Sequence, residues 1–255
     1  MRLPRLLAAA SLLLCAGCFQ GQRVITVNAD GSGTIVDTLT VGEQLKAMMA
    51  AAQDKDKGTE KEKAAAAAMG PGVTFVSQEK TPDGSGFKTT YAFKDIGKIR
   101  VDISPGPDSG ENKGEQKDKS EPLSFRFARQ GGKSVVTVVQ PQPKKTDAQA
   151  KPPEGMQDMA MSMWTMMKGM MKGLKLKTVL EVNGKIAKAT SPYVQGSSVT
   201  LLEMDFDQIT ADDANFKKFT KAGEDPSTMD PKALQGIKGM KINPDQEVVV
   251  EFAGK

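Results

Sequence analysis

The chain holds two cysteines, fifteen methionines and no histidine. Without an imidazole it lacks the commonest general base and the commonest metal ligand. Cys15 and Cys18 stand close together near the amino terminus. If Cys15 is removed with a leader and Cys18 is modified, no thiol remains for nucleophilic attack or for a tetrahedral zinc site. Carboxylate or Ser-Lys chemistry stays open, since Asp and Glu total 31. No Gly-x-Ser-x-Gly elbow or P-loop accompanies them, however. The densest acidic group is Asp205, Asp207, Asp212 and Asp213. It lacks the glycine and the closing glutamate of an EF-hand, so helix capping and solvated surface are the expected roles. No enzyme is expected, and a hydrolase with an unrecognised site is kept as a second alternative.

Methionine supplies the unusual feature. Met156, Met159, Met161, Met163, Met166, Met167, Met170 and Met171 are eight of the fifteen. On a helix over residues 155–174, all but Met161 fall within an arc of about 160°, shared with Ala160, Trp164 and Leu174. Three readings of that face stand open. It packs on a sheet as an adaptable core surface. It forms a groove for a lipid or other apolar partner, with Lys168, Lys172, Lys175 and Lys177 toward anionic headgroups. Or Met159, Met163, Met166, Met167 and Met170 provide thioethers for copper(I). No other cofactor or metal is expected.

The amino terminus defines a destination. Met1 to Arg5 is short and basic, Leu6 to Leu14 is apolar, and Ala16-Gly17 brings small residues up to Cys18. That order reads as a secretory signal over residues 1–17, cut between Gly17 and Cys18. The apolar stretch is too short to span a bilayer, which needs roughly 20 residues. Ala16-Gly17-Cys18 also resembles the lipobox of bacterial lipoproteins, although Cys15 stands where leucine is commonest. The resemblance implies a diacylglyceryl group on the Cys18 sulfur and a place in the cell envelope. Phe19, in a position where aspartate retains such proteins at the inner membrane, implies the periplasmic face of the outer membrane in a cell with two. The formal charge of +4, less Arg2 and Arg5, is close to balance, and no nucleic-acid partner is expected. The expected partners are membrane lipid through Cys18, and a lipid or envelope protein.

Behind the anchor, residues 18–23 read as a short tether and residues 24–140 as a hairpin-rich part. Val24 to Asn28 and Thr34 to Val41 flank Asp30-Gly31-Ser32-Gly33 as a first hairpin. Gly42 to Gln53 turns helical, Asp54 to Lys63 is a solvated charge block, Ala64 to Met69 continues or restarts the helix, and Gly70-Pro71-Gly72 stops it. Val73 to Glu79 and Phe87 to Phe93 form a second hairpin, Lys98 to Ile103 a further strand, and residues 104–122 a loop without any hydrophobic side chain. Leu123 to Ala128 and Ser134 to Val139 make the third hairpin. A linker over 141–154 leads to 155–255, where the methionine helix precedes strands at 176–182, 186–189 and 199–206. Short helices between 207 and 239 and a last strand over 247–252 follow. The expected fold is α+β, with a largely antiparallel sheet packed by the methionine helix and shorter helices. Each half places strands around one helix, as a distant internal duplication would.

Val24-Ile25-Thr26-Val27 with Asp30-Gly31-Ser32-Gly33, and Leu180-Glu181-Val182-Asn183-Gly184-Lys185-Ile186 followed by Val199 to Leu202, together resemble the LppM-like envelope lipoproteins over about a quarter of the chain. Asn183 stands where proline is frequent in that block. The resemblance implies a lipid-anchored α+β domain and supplies no catalytic residues.

Overall fold

The computed structural model describes residues 19–42, 55–105, 121–140, 168, 171–222 and 231–254. Cys18, Gly17 and the signal, the helix expected over 43–53, most of the loop at 104–122, the linker, and Met159, Met163, Met166, Met167 and Met170 lie outside them.

β-branched runs interrupted by glycine-containing turns produce a sheet-dominated α+β fold. Strands β1 (Phe19–Val27), β2 (Gly33–Val41), β3 (Val73–Lys80) and β4 (Gly86–Phe93) are the first two hairpins. Helix α1 (Lys55–Met69) sits between them and is continuous through the charge block. A 3-10 turn over Ile96–Lys98 leads to the short β5 (Arg100–Val101), then β6 (Leu123–Gln130) and β7 (Lys133–Val139) form the third hairpin. The second half gives β8 (Lys175–Val182), β9 (Gly184–Ala189), β10 (Val194–Gln195) and β11 (Ser198–Asp205). Helices α2 (Phe206–Ile209) and α3 (Asp213–Ala222) precede β12 (Met240–Ile242) and β13 (Glu247–Gly254).

The strands form two sheets. The larger runs β10-β11-β8-β1-β2-β4-β3, with β12 beside β11, and the smaller runs β5-β6-β7-β13-β9. Pairing is antiparallel except at the centre of the large sheet, where β1 lies parallel to β8 with Ile25 opposite Leu180. Inward side chains of both sheets meet in one cluster, including Ile25, Ile35, Phe93 and Leu180 from the large sheet and Phe125, Val136, Val250 and Phe252 from the small one. Its members span both halves of the chain, so these halves share a core. A smaller cluster joins Phe206, Ile209, Phe216, Leu234 and Ile237 to Met204 and Met240 at one end of the large sheet.

Three expectations are corrected. The strand begins at Phe19, so residues 19–23, assigned to a tether, are part of the sheet. The strand expected over Lys98 to Ile103 is reduced to two residues: Lys98 belongs to a 3-10 turn capped by Asp95, and the Asp102 and Ile103 carbonyls accept from the Arg23 and Thr178 side chains. The single sheet expected is two sheets, and among the described residues the second covers the inner face of the first, while the methionine helix expected to pack it lies outside them. A buried sheet-on-sheet face needs the same alternation as a sheet packed by a helix, so periodicity alone does not separate the two.

The turn at Asp30 closes one end of the sandwich. Ile96 donates to the Gly31 carbonyl at 2.9 Å, and Arg129 Nε and Ser134 Oγ both donate to the Ala29 carbonyl, at 3.0 and 2.8 Å. Gly31 has φ +86° and its Cα lies so close to the Phe127 ring that a Cβ would meet it at 2.9 Å. Glycine therefore serves both the turn and the contact between sheets.

Candidate functional site

Period-two alternation on β1 places Phe19, Gly21, Arg23, Ile25 and Val27 on the inner face. An arginine in that series is a conspicuous departure from an apolar core. Arg23 is 5% exposed. Register sets Asp37 of β2 beside it and Thr178 of β8 on its other flank. Asp37 is next to Thr89 of β4, and Thr89 is next to Gln78 of β3. One polar row thus crosses five adjacent strands of the large sheet.

Each member of the row has a partner. Arg23 donates from Nε and Nη2 to the two carboxylate oxygens of Asp37, both at 2.7 Å, and from Nη1 to the Asp102 carbonyl at 2.7 Å. Thr178, fully buried, donates to the Ile103 carbonyl at 2.5 Å. Gln78 donates to Thr89 Oγ1 at 3.1 Å and to the Glu62 carboxylate at 3.2 Å. The other Glu62 oxygen accepts from the Tyr91 hydroxyl, so α1 is fastened to the sheet through one carboxylate. Residues 102–105 lie directly across β1 and β8. Gly21 permits this, since a Cβ there would meet the Pro105 carbonyl oxygen at 2.9 Å.

Electrostatics make this row a lock rather than a reactive centre. Burial opposes the charge on Arg23, but the hydrogen-bonded Asp37 carboxylate outweighs it and holds the guanidinium above its ordinary value. Burial, with the neighbouring Glu62 carboxylate, raises Tyr91 far above the usual phenol range and keeps it a hydrogen-bond donor. Bidentate pairing uses the Arg23 fork on protein groups and leaves its charge compensated. The arrangement holds strands, helix α1 and the 102–105 segment in one relative position.

Toward the first residue of β1 the inner face becomes apolar again. Phe19, Leu39, Phe87 and Leu176 are half-buried there, and Val41 is buried. None of the five belongs to either apolar cluster. They make a shelf separated from the main core by the Arg23 row. The carboxyl end of the methionine series approaches the same end of the sheet. Met171 and Leu174 pack against the Phe206–Phe216 cluster, and Lys168 lies with its ammonium 5.4 Å from the Phe216 ring centre.

The acidic group at 205–213 has capping roles. Asp205 accepts from the Gln208 amide at the start of α2, Asp207 from the Gly173 amide, and Asp212 from the Asn215 amide before α3. Asp213 is exposed and pairs with Lys168 at 3.7 Å. Among the described residues no group of three or more His, Cys, Asp or Glu is placed to hold a metal ion. Nor is any described helix long and apolar enough to cross a membrane.

Sequence reasoning missed the Arg23–Asp37 pair, and a signal was present. In Arg23 to Val27 the charged residue has the same parity as Ile25 and Val27. It also missed Asn243, whose amide donates to the Thr200 carbonyl at 2.9 Å where β11 bulges against β8. No local pattern in the sequence announces that contact.

No protein-family model matches the chain. No curated protein matches it either. Among solved structures it is paired with the NMR structure of the folded domain of the Mycobacterium tuberculosis LppM protein. That pairing has 8% identity and a TM-score of 0.32, over 93% of this chain and 91% of that one. A score so low assigns neither fold nor role.

Proposed function

We propose that this chain is a non-catalytic envelope lipoprotein, anchored through a diacylglyceryl thioether on Cys18, whose domain receives a lipid or another apolar partner. One observation carries the anchoring: β1 starts at Phe19, the residue after Cys18. A cut between Gly17 and Cys18 leaves every described strand intact. The anchor proposed at Cys18 thus adjoins a strand of the large sheet, which would hold the domain close to the membrane. The apolar shelf of Phe19, Leu39, Phe87 and Leu176 is on that side. It supports an apolar partner, and Met159, Met163, Met166, Met167 and Met170 are the further side chains proposed to meet it. The absence of histidine supports a non-catalytic role. In a cell with two membranes, Phe19 after the anchor favours the outer one.

Mass spectrometry of the protein purified from membranes tests the anchor. The expected first residue is Cys18 carrying fatty acid, and Cys18→Ser is expected to release the protein into the soluble fraction. A first residue elsewhere, or a bare Cys18, overturns it. Native mass spectrometry without detergent tests the partner, and a domain that retains no lipid from its source membrane removes that part.

A further inference from the structure

Helix α3 carries Lys217, Lys218 and Lys221 on its exposed side, while Phe216 and Thr220 are buried and Phe219 is half-buried on the other. Positions i, i+1 and i+4 fall on one helical face. The three ammonium groups have no ion-pair partner among the described residues. Two lysines nearby behave differently, Lys168 pairing with Asp213 and Lys238 with Asp212. Asp213, one turn before Lys217 on the same helix, pairs with Lys168, and the other charged side chains of α3 are Lys217, Lys218 and Lys221.

Strand register places the stripe. Gln20 of β1 is opposite Lys175 of β8, and Lys175 is opposite Asp205 of β11. Helix α2 starts at Phe206, and α3 packs on it through the Phe206–Phe216 edge-to-face contact. Two strand spacings, about 10 Å in all, separate Gln20 from Asp205. The α2–α3 unit therefore stands at the end of the sheet that holds Phe19 and Gln20 of β1.

We propose that the Lys217–Lys218–Lys221 side of α3 is a second membrane contact, which meets the phosphates of anionic lipid headgroups. The placement rests on Cys18 being the anchor, but the charge contact itself does not need the acyl group. A basic side chain near an anionic bilayer adds attraction that is screened by salt. The acyl thioether and this stripe would act as two signals, one apolar and one electrostatic.

The test uses the mature chain from residue 18 with Cys18→Ser, which retains every described strand and helix and carries no lipid. Co-sedimentation is measured with vesicles of phosphatidylcholine alone and with about one-third phosphatidylglycerol, at low and high salt. Binding to the anionic vesicles only, lost in high salt and weakened about tenfold or more by K217E/K218E/K221E, is the expected result. The control K185E/K188E, on β9 at the opposite end of the fold, is expected to change binding less than about twofold, and circular dichroism confirms that both variants fold. Equal binding to neutral vesicles, no binding to either, or a triple variant that binds like the parent overturns the proposal. A bare Cys18 in the native protein would overturn the anchor and leave this measurement unaffected, so the two failures are distinguishable.

Discussion

At the scale of single residues, the Arg23–Asp37 pair is a largely buried ion pair whose halves depend on each other. Removing one partner leaves a desolvated charge, whereas replacing both with apolar groups does not. Asp37→Asn is therefore expected to lower unfolding stability by about 3–5 kcal/mol in urea titrations, and R23M/D37L to recover most of that loss. Asp83 gives a second expectation. It is held at about 2 by hydrogen bonds from Thr81 and from the Ser85 hydroxyl and amide. A carboxylate lowered on folding contributes stability that is complete above the unfolded value near 4 and is lost as pH falls toward 2. Asp83→Asn should flatten thermal stability against pH across that window. If the parent and the variant show the same acid slope, the turn is not its source. Asp83-Gly84-Ser85 and Asp30-Gly31-Ser32 use the same bonds, Ser85 and Ser32 each donating amide and hydroxyl to the aspartate two positions back. These turns were legible because their chemistry is local. The Arg23 lock was not, because Asp37 and Asp102 lie 14 and 79 positions away.

Secondary structure was readable wherever a turn and two alternating strands are contiguous. The third hairpin shows why: Gly131 and Gly132 have φ of +57° and +78°, the conformation a two-residue turn between twisted strands requires. Neither faces an atom within 4 Å, so G131A/G132A tests backbone strain without a clash. The expected cost is about 1–2 kcal/mol at each position, measured as a lowered denaturation midpoint. Short β12 escaped notice because its three residues, Met240–Ile242, sit among glycine, lysine and proline and form a strand only by pairing with β11. The same holds for β1 against β8. A parallel neighbour 155 positions away leaves no mark on either segment, so the sheet order was beyond reach even with its strands in hand.

For the whole molecule, the two halves of the chain are interleaved. β1 of the first half pairs β8 of the second in the large sheet, and β7 of the first pairs β13 of the second in the small one. Neither half is expected to fold alone. Fragments 19–140 and 141–255 should each show no cooperative urea transition, and the mixture should regain one. A sigmoidal transition in either fragment would mean that its strands hold a core without the other. The position of β1 has a further mechanical consequence. It is bonded on both sides over almost its whole length, and its first residue adjoins residue 18. Tension applied at residue 18 along the strand loads both ladders in shear, with many hydrogen bonds resisting together instead of opening one after another. Peeling the domain open from that end therefore requires both neighbours of β1 to slip at once.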